Sequence, residues 1–135
     1  MNRDLIIKNM PFKAEQKLTV VGVVNSDAAG FEVNIGQDEL NYAIHINPRF
    51  NTKGDVNRVI CNSYQNGIWG VEVRGGGFPF QQGKEFKIMV TFTCTEFKVT
   101  LSDGSEILFP NRIGADTYSV ISFRGDACLK RVEVE

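Results

Sequence analysis

The first group of side chains that could bind a ligand through specific hydrogen bonds lies in the segment His45-Ile46-Asn47-Pro48-Arg49. Residues two apart in an extended strand share a face, so His45, Asn47 and Arg49 are expected to project together. Ile44 and Ile46 fall on the opposite face, and we expect them to enter the core. An imidazole, an amide and a guanidinium on one face offer a fixed set of hydrogen-bond donors and acceptors.

A second group of such side chains lies downstream, at Asn62 and in the segment from Trp69 to Arg74. Glu72 and Arg74 share a face for the same reason of spacing. Trp69 is three positions before Glu72, so in a regular strand its side chain would project from the opposite face. A bend or turn near Gly70 must therefore redirect the indole if all these groups serve one site.

These groups together suit a neutral ligand with many hydroxyls. A phosphate or carboxylate ligand would meet Glu72, whereas a sugar hydroxyl both donates and accepts and can bridge a guanidinium and a carboxylate. A pyranose with an axial hydroxyl, such as galactose, also has a C–H face that can lie flat on Trp69. We expect Glu72 and Asp55 to hold the two arginines rigid.

The composition argues against a metal site, a redox site and a nucleic-acid partner. The chain has one histidine and three cysteines, and Cys61, Cys94 and Cys128 lie too far apart for a C-x-x-C zinc or redox motif. We therefore expect no metal and no cofactor, and the odd number of thiols favours synthesis in a reducing compartment. A formal net charge of -1 argues against a nucleic-acid partner. We expect Cys61, opposite in parity to Asn62, to be an inert thiol in the core.

An enzyme is the least favoured alternative. A glycosidase would need two carboxylates flanking the scissile bond, for which Asp55 and Glu72 are the candidates. We expect these carboxylates to pair with arginines instead, so the sequence predicts no catalytic residue.

Short strands separated by turn residues fill the sequence and predict an all-β fold, with residues 1–135 forming one domain. A sandwich of two antiparallel sheets is favoured over a barrel with a lined cavity. The run Gly75-Gly76-Gly77 is interpreted as a hairpin. The predicted strands are Leu5–Ile7, Lys17–Val24, Gly30–Ile35, Leu40–Asn47, Asn57–Tyr64, Trp69–Arg74, Glu85–Thr93, Glu96–Leu101, Glu106–Phe109, Tyr118–Phe123 and Cys128–Val134.

Several motifs, in order along nearly the whole chain, resemble the galectins, which are β-galactoside-binding lectins. The resemblance rests on segments His45–Asn51, Gly54-Asp55, Val59–Ser63, Trp69–Arg74, Phe78–Phe80, Phe109–Arg112 and Gly125-Asp126. It implies a single carbohydrate-recognition domain over 1–135 with a jelly-roll sandwich. It also implies binding of lactose or N-acetyllactosamine-type glycans on the concave sheet, without metal.

The resemblance also implies a role for each site residue. His45, Asn47 and Arg49 would engage the galactose 4-hydroxyl, and Trp69 its apolar face. Asn62 and Glu72 would serve the 6-hydroxyl side and the neighbouring sugar, and Arg74 would brace Glu72 and reach the second sugar. Lys53 replaces the histidine frequent in prototype members, so it is a peripheral sugar-binding candidate expected to alter preference among extended or anionic glycans.

The expected partners are β-galactoside glycans and glycoproteins, cross-linked by a homodimer that forms through the terminal strands. No stretch reaches the length of a signal peptide's apolar region or of a membrane span. The expected location is therefore cytoplasmic and, by resemblance, extracellular through a route without a signal peptide. The alternative is a galectin-fold protein that acts mainly on protein partners inside the cell.

Overall fold

The computed structural model describes residues 4–135. In this range all the elements of regular secondary structure are β-strands. There are twelve strands in this range: β1 Leu5–Lys13, β2 Lys17–Val24, β3 Phe31–Asp38, β4 Asn41–Thr52, β5 Asp55–Gln65, β6 Ile68–Trp69, β7 Val73–Arg74, β8 Glu85–Phe92, β9 Glu96–Leu101, β10 Glu106–Pro110, β11 Thr117–Gly125 and β12 Ala127–Val134. The prediction of an all-β chain is confirmed.

The strands form two antiparallel sheets. The seven-stranded sheet has the order β1-β11-β3-β4-β5-β6, with β7 also paired to β5, and the five-stranded sheet has the order β10-β9-β8-β2-β12. The predicted sandwich is therefore confirmed and the alternative barrel is wrong, because each sheet ends in its own edge strands. Among residues 4–135, no helix is long and apolar enough to cross a membrane.

The core lies between the sheets and follows the alternation of the sequence. On β8, Phe86, Ile88, Val90 and Phe92 are buried while Glu85 and Lys87 are exposed. On β4, Ile44 and Ile46 are fully buried, as predicted, in the same hydrophobic cluster. This leaves the alternate residues of β4 on the outer face of the seven-stranded sheet.

Apart from shifts in the ends of several strands, two predicted elements differ from the structure. The predicted strand Trp69–Arg74 is split into β6 and β7, which both pair with β5 and are separated by residues 70–72. The three glycines 75–77 do not form a hairpin, because β7 lies in one sheet and β8 in the other. They begin the connection from the seven-stranded sheet to the five-stranded sheet.

Candidate functional site

A groove of about 320 Å³ runs over the outer face of β4, β5 and the loop that follows β6. Six of the eight predicted site residues line it, together with Ile60 and Gly70: His45, Arg49, Lys53, Asn62, Trp69 and Glu72. The ring centroids of His45 and Trp69 are 4.7 Å apart. Residues 24 positions apart in the chain therefore meet on one surface, as the sequence predicted.

The strand register explains how the cluster forms. His45 lies directly opposite Asn62 in the β4–β5 pairing. Trp69 lies opposite Tyr64 in the β5–β6 pairing. Asn62 and Tyr64 are two positions apart on β5, so they lie on the same face of the sheet. The three strands thus bring the imidazole, the amide and the indole side by side.

Asn47 and Arg74 lie beside the groove and do not line it. Asn47 lines an adjoining hollow of about 170 Å³, which shares Lys53 with the groove. Its Nδ2 donates to the Phe31 carbonyl at 2.8 Å, and its Oδ1 accepts from Arg49 Nε at 2.8 Å. Asn47 therefore fixes the plane of the Arg49 guanidinium.

Two arginines and two carboxylates form a closed set of ion pairs along one wall. Asp55 accepts from Arg49 Nη1 at 2.7 Å and also from Arg74 Nη1. Glu72 accepts from Arg74 Nη2 at 2.9 Å and lies 3.6 Å from Arg49 Nη2. The hydrogen bonds from Arg74 and Arg49 hold the pKa of Asp55 below its ordinary value.

This arrangement positions the two arginines. Each oxygen of Asp55 accepts a hydrogen bond from a guanidinium group, one from Arg49 and one from Arg74. The guanidinium of Arg49 is buried and held at Nε and Nη1, and it is presented to the groove in one orientation.

His45 is held in a single neutral form. The pKa of His45 is lowered to about 3, chiefly by burial and also by the positive charges of Lys53 and Arg49. Its Nδ1 lies 2.7 Å from Oδ1 of the buried Asn34.

The Asn34 amide is itself oriented, since its Nδ2 lies 3.1 Å from both Ser122 Oγ and Glu32 Oε1. This network places the His45 proton on Nδ1. Nε2 is left as an acceptor for a hydroxyl group of a ligand.

Arg112 is a residue of the site that the sequence analysis did not select. It lies in the loop after β10, and its Nη1 donates to Asn62 Oδ1 at 3.2 Å and to Ser63 Oγ at 2.9 Å. Its Nη2 donates to the Val71 carbonyl at 2.8 Å, and the guanidinium lies 4.6 Å from the centre of the Phe109 ring. Arg112 therefore ties the loop after Trp69 to β5.

The interruption expected near Gly70 is present, and a larger residue there would have to displace the side chains of Arg112 and Ser63. A Cβ atom at this position would lie 2.5 Å from Arg112 Nη1 and 2.8 Å from Ser63 Oγ. Gly70 also donates its backbone N–H to the Ser63 carbonyl at 2.9 Å and accepts from Asn62 Nδ2 at 2.9 Å. The close approach of this loop to β5 sets where Glu72 stands.

Cys61 lies on the core side of β5 and is fully buried, as predicted. Burial raises the pKa of its thiol to about 12, so the thiolate is not populated near neutral pH. Because side chains alternate along β5, Asn62 faces the groove while Cys61 faces the core and is unreactive.

Comparison with known proteins matches residues 4–134 to the family of galactoside-binding lectins. The chain is similar to the β-galactoside-binding lectin of Electrophorus electricus, with 45% identity over 97% of both chains. It is also similar to the structure of CG-16, a homodimeric agglutinin from chicken liver (TM-score 0.93, 38% identity, 98% of this chain and 100% of that one). A third similar structure is lactose- and MES-liganded congerin II (TM-score 0.94, 37% identity, 98% and 100%).

A two-sheet antiparallel sandwich with this groove defines the class as a carbohydrate-binding lectin. The chain belongs to the galactoside-binding lectins, the galectins. The family predicted from the motifs is therefore confirmed. Members of this family bind carbohydrate and are not enzymes, which confirms the prediction of a lectin without catalysis.

Proposed function

We propose that the groove binds a β-galactoside of the lactose or N-acetyllactosamine type through the predicted residues. His45, Asn47 and Arg49 engage the 4-hydroxyl of galactose, and the apolar face of the sugar lies on Trp69. The observation that carries this proposal is the half-exposed indole, which stands 4.7 Å from the His45 ring inside the groove.

The chemistry of the groove supports an axial hydroxyl as the main point of recognition. Neutral His45 offers an acceptor at Nε2, while Arg49 offers charged donors, so one hydroxyl can donate to the first and accept from the second. An epimer with an equatorial hydroxyl would leave His45 Nε2 and the remaining donor of Arg49 without this partner, which is costly.

Asn62 and Glu72 contact the 6-hydroxyl side and the neighbouring sugar in this proposal, and Arg74 braces Glu72 and reaches the second sugar. Glu72 and Arg74 are exposed at the rim, where a second ring would leave the groove. Lys53 lies at the junction with the hollow that Asn47 lines, and it contacts extended or anionic glycans.

The test is a titration with lactose, followed by the fluorescence of Trp69, the single tryptophan of the chain. We expect saturable binding in the micromolar to millimolar range, as suits one shallow site. Cellobiose, which differs from lactose only in the equatorial 4-hydroxyl of its non-reducing sugar, is the matched control ligand and is expected not to bind. The absence of a saturable response to lactose, or equal responses to lactose and cellobiose, would contradict the proposal.

We infer that residues 1–135 form one carbohydrate-recognition domain and that two copies pair through their terminal strands. The family match over residues 4–134 supports the first point. β1 and β12 are edge strands of the two sheets, and Leu5 and Ile6 on β1 are exposed, which supports the second. CG-16, which is similar over its whole length, is a homodimer. Such a dimer cross-links galactoside-bearing glycoproteins by presenting two sites.

We further propose that the protein occurs in the cytoplasm and outside cells, with no nucleic-acid partner and no membrane insertion. Free thiols at Cys61, Cys94 and Cys128 fit synthesis in a reducing compartment. The galactoside ligand class is displayed mainly on cell surfaces, which fits the second location.

A further inference from the structure

The indole of Trp69 needs a fixed orientation, yet its own strand gives it little support. β6 has two residues, and within residues 4–135 it pairs with β5 alone. About half of the Trp69 surface is exposed (48%), so the core does not hold the ring either. A flat sugar face can stack on an indole only where the ring plane is kept in place.

Two aromatic rings lie against the indole at the same centroid distance. One belongs to His45, at 4.7 Å, which lines the groove. The other belongs to Tyr64, at 4.7 Å and an interplanar angle of 48°. Tyr64 is directly opposite Trp69 in the strand pairing and is not among the residues that line the groove.

Tyr64 is in turn held from behind. Tyr42 lies opposite it in the β4–β5 pairing, with the two ring centroids 5.8 Å apart. Tyr42 is buried, and its ring lies parallel to that of His45 at 6.4 Å. Four rings on three neighbouring strands thus form an aromatic cluster, in which the Tyr42 ring also lies 6.4 Å from the indole.

We propose that Tyr64 is a positioning residue: its ring fixes the orientation of Trp69 and so sets the affinity for the galactoside without touching it. This inference rests on the proposed function, since the indole is taken as the surface on which the sugar lies. Cross-strand aromatic pairs prefer tilted geometries of this kind and stabilise one relative orientation.

The test compares Tyr64→Thr with Tyr64→Phe. Threonine removes the ring but keeps strong β-propensity, whereas phenylalanine keeps the ring. We expect Tyr64→Thr to weaken lactose binding about three- to tenfold, and Tyr64→Phe to stay within about twofold of the wild type. Thermal unfolding of both variants shows whether the sandwich is intact.

A second readout separates positioning from a merely structural role. Trp69 is the single tryptophan, so time-resolved fluorescence anisotropy without sugar reports the motion of this ring alone. We expect the amplitude of rapid local motion to rise in Tyr64→Thr and to stay unchanged in Tyr64→Phe. Unchanged motion in Tyr64→Thr would overturn the inference, whatever the affinity does.

These outcomes are distinct from failure of the proposed function. If the wild type does not bind lactose, the proposed function fails, and the anisotropy of the unliganded variants still decides whether Tyr64 positions the indole. If the wild type binds and Tyr64→Thr binds equally well, the inference is overturned and the proposed function stands.

Discussion

At neutral pH the His45 imidazole carries no charge, and this state depends on its place in the sheet. Burial is the main cause of its low pKa, about 3, and the positive charges of Lys53 and Arg49 act in the same direction. A hydrogen bond with Asn47 and the charge of Glu72 act in the opposite direction but do not offset them. The hydrogen bond to Asn34 then selects one of the two neutral forms.

The depressed pKa predicts a dependence of stability on pH. In the unfolded chain His45 takes up a proton near its ordinary value of 6.5, while in the folded chain it does so only near 3. Between these values the unfolded state binds more protons, so the free energy of unfolding falls as pH is lowered through this window. Urea unfolding of the wild type and of His45→Gln across the window measures it.

We expect the loss of stability over that range to be smaller in His45→Gln, which cannot titrate at this position. The chain has one histidine, so the ring signals in an NMR titration belong to His45. Signals of the neutral ring should persist well below 6.5. A midpoint near 6.5 in the folded protein would contradict the burial argument.

At the scale of the strands, the sequence predicts positions well where alternation is strict. β9 begins and ends at the predicted residues, since apolar and polar side chains alternate through all of it. β1 is longer than predicted: it continues beyond Ile7 to Lys13. Its register with β11 shifts between Lys8 and Phe12, and Asn9 has a φ of 60°, so the period of two is interrupted there.

In the site, the residues that can be predicted from the sequence are those that lie on one regular strand. His45, Asn47 and Arg49 follow from spacing on one strand, and their shared face does not depend on distant contacts. Arg112 comes from a loop, where no periodicity fixes the direction of a side chain. The sequence shows that the Phe109–Arg112 motif contains an arginine, but it does not predict that this arginine contacts Asn62.

A conservative change of Arg112 tests its importance for the loop after β6. Lysine keeps the charge but cannot make the forked contacts to Asn62, Ser63 and the Val71 carbonyl. We expect Arg112→Lys to weaken lactose binding roughly fivefold, equivalent to about 1 kcal/mol. Isothermal calorimetry measures the affinity.

Arg131→Lys is the matched control for this change. Arg131 is exposed on β12 and pairs only with Glu133 across 3.2 Å among the ion pairs of residues 4–135. We expect this variant to bind lactose as the wild type does, since surface pairs contribute little. Equal affinities of Arg112→Lys and the wild type would show that the loop is held by its backbone alone.

At the scale of the whole molecule, the proposed dimer depends on the edge at β1. Leu5 is 45% exposed there. A charge at this position would have to be buried between two copies, so we expect Leu5→Glu to be monomeric where the wild type is dimeric. Sedimentation velocity over a concentration series measures the change, and lactose binding per chain should stay the same.

Leu108→Glu serves as the control, because Leu108 is similarly exposed (55%) but lies on β10, the opposite edge of the five-stranded sheet. It should dimerise like the wild type. A monomeric wild type, or dimers that persist in Leu5→Glu, would place the contact elsewhere.

The strand order also fixes how far apart the two ligands of such a pair stand. In the seven-stranded sheet the groove lies over β4 and β5, three and four strands away from β1. With about 4.8 Å between neighbouring strands, two sheets joined at β1 would hold their galactosides about 40 Å apart. No single disaccharide can span that gap. The two sites of such a pair would therefore be filled by two separate sugar groups, and the pair would link groups that stand about 40 Å apart.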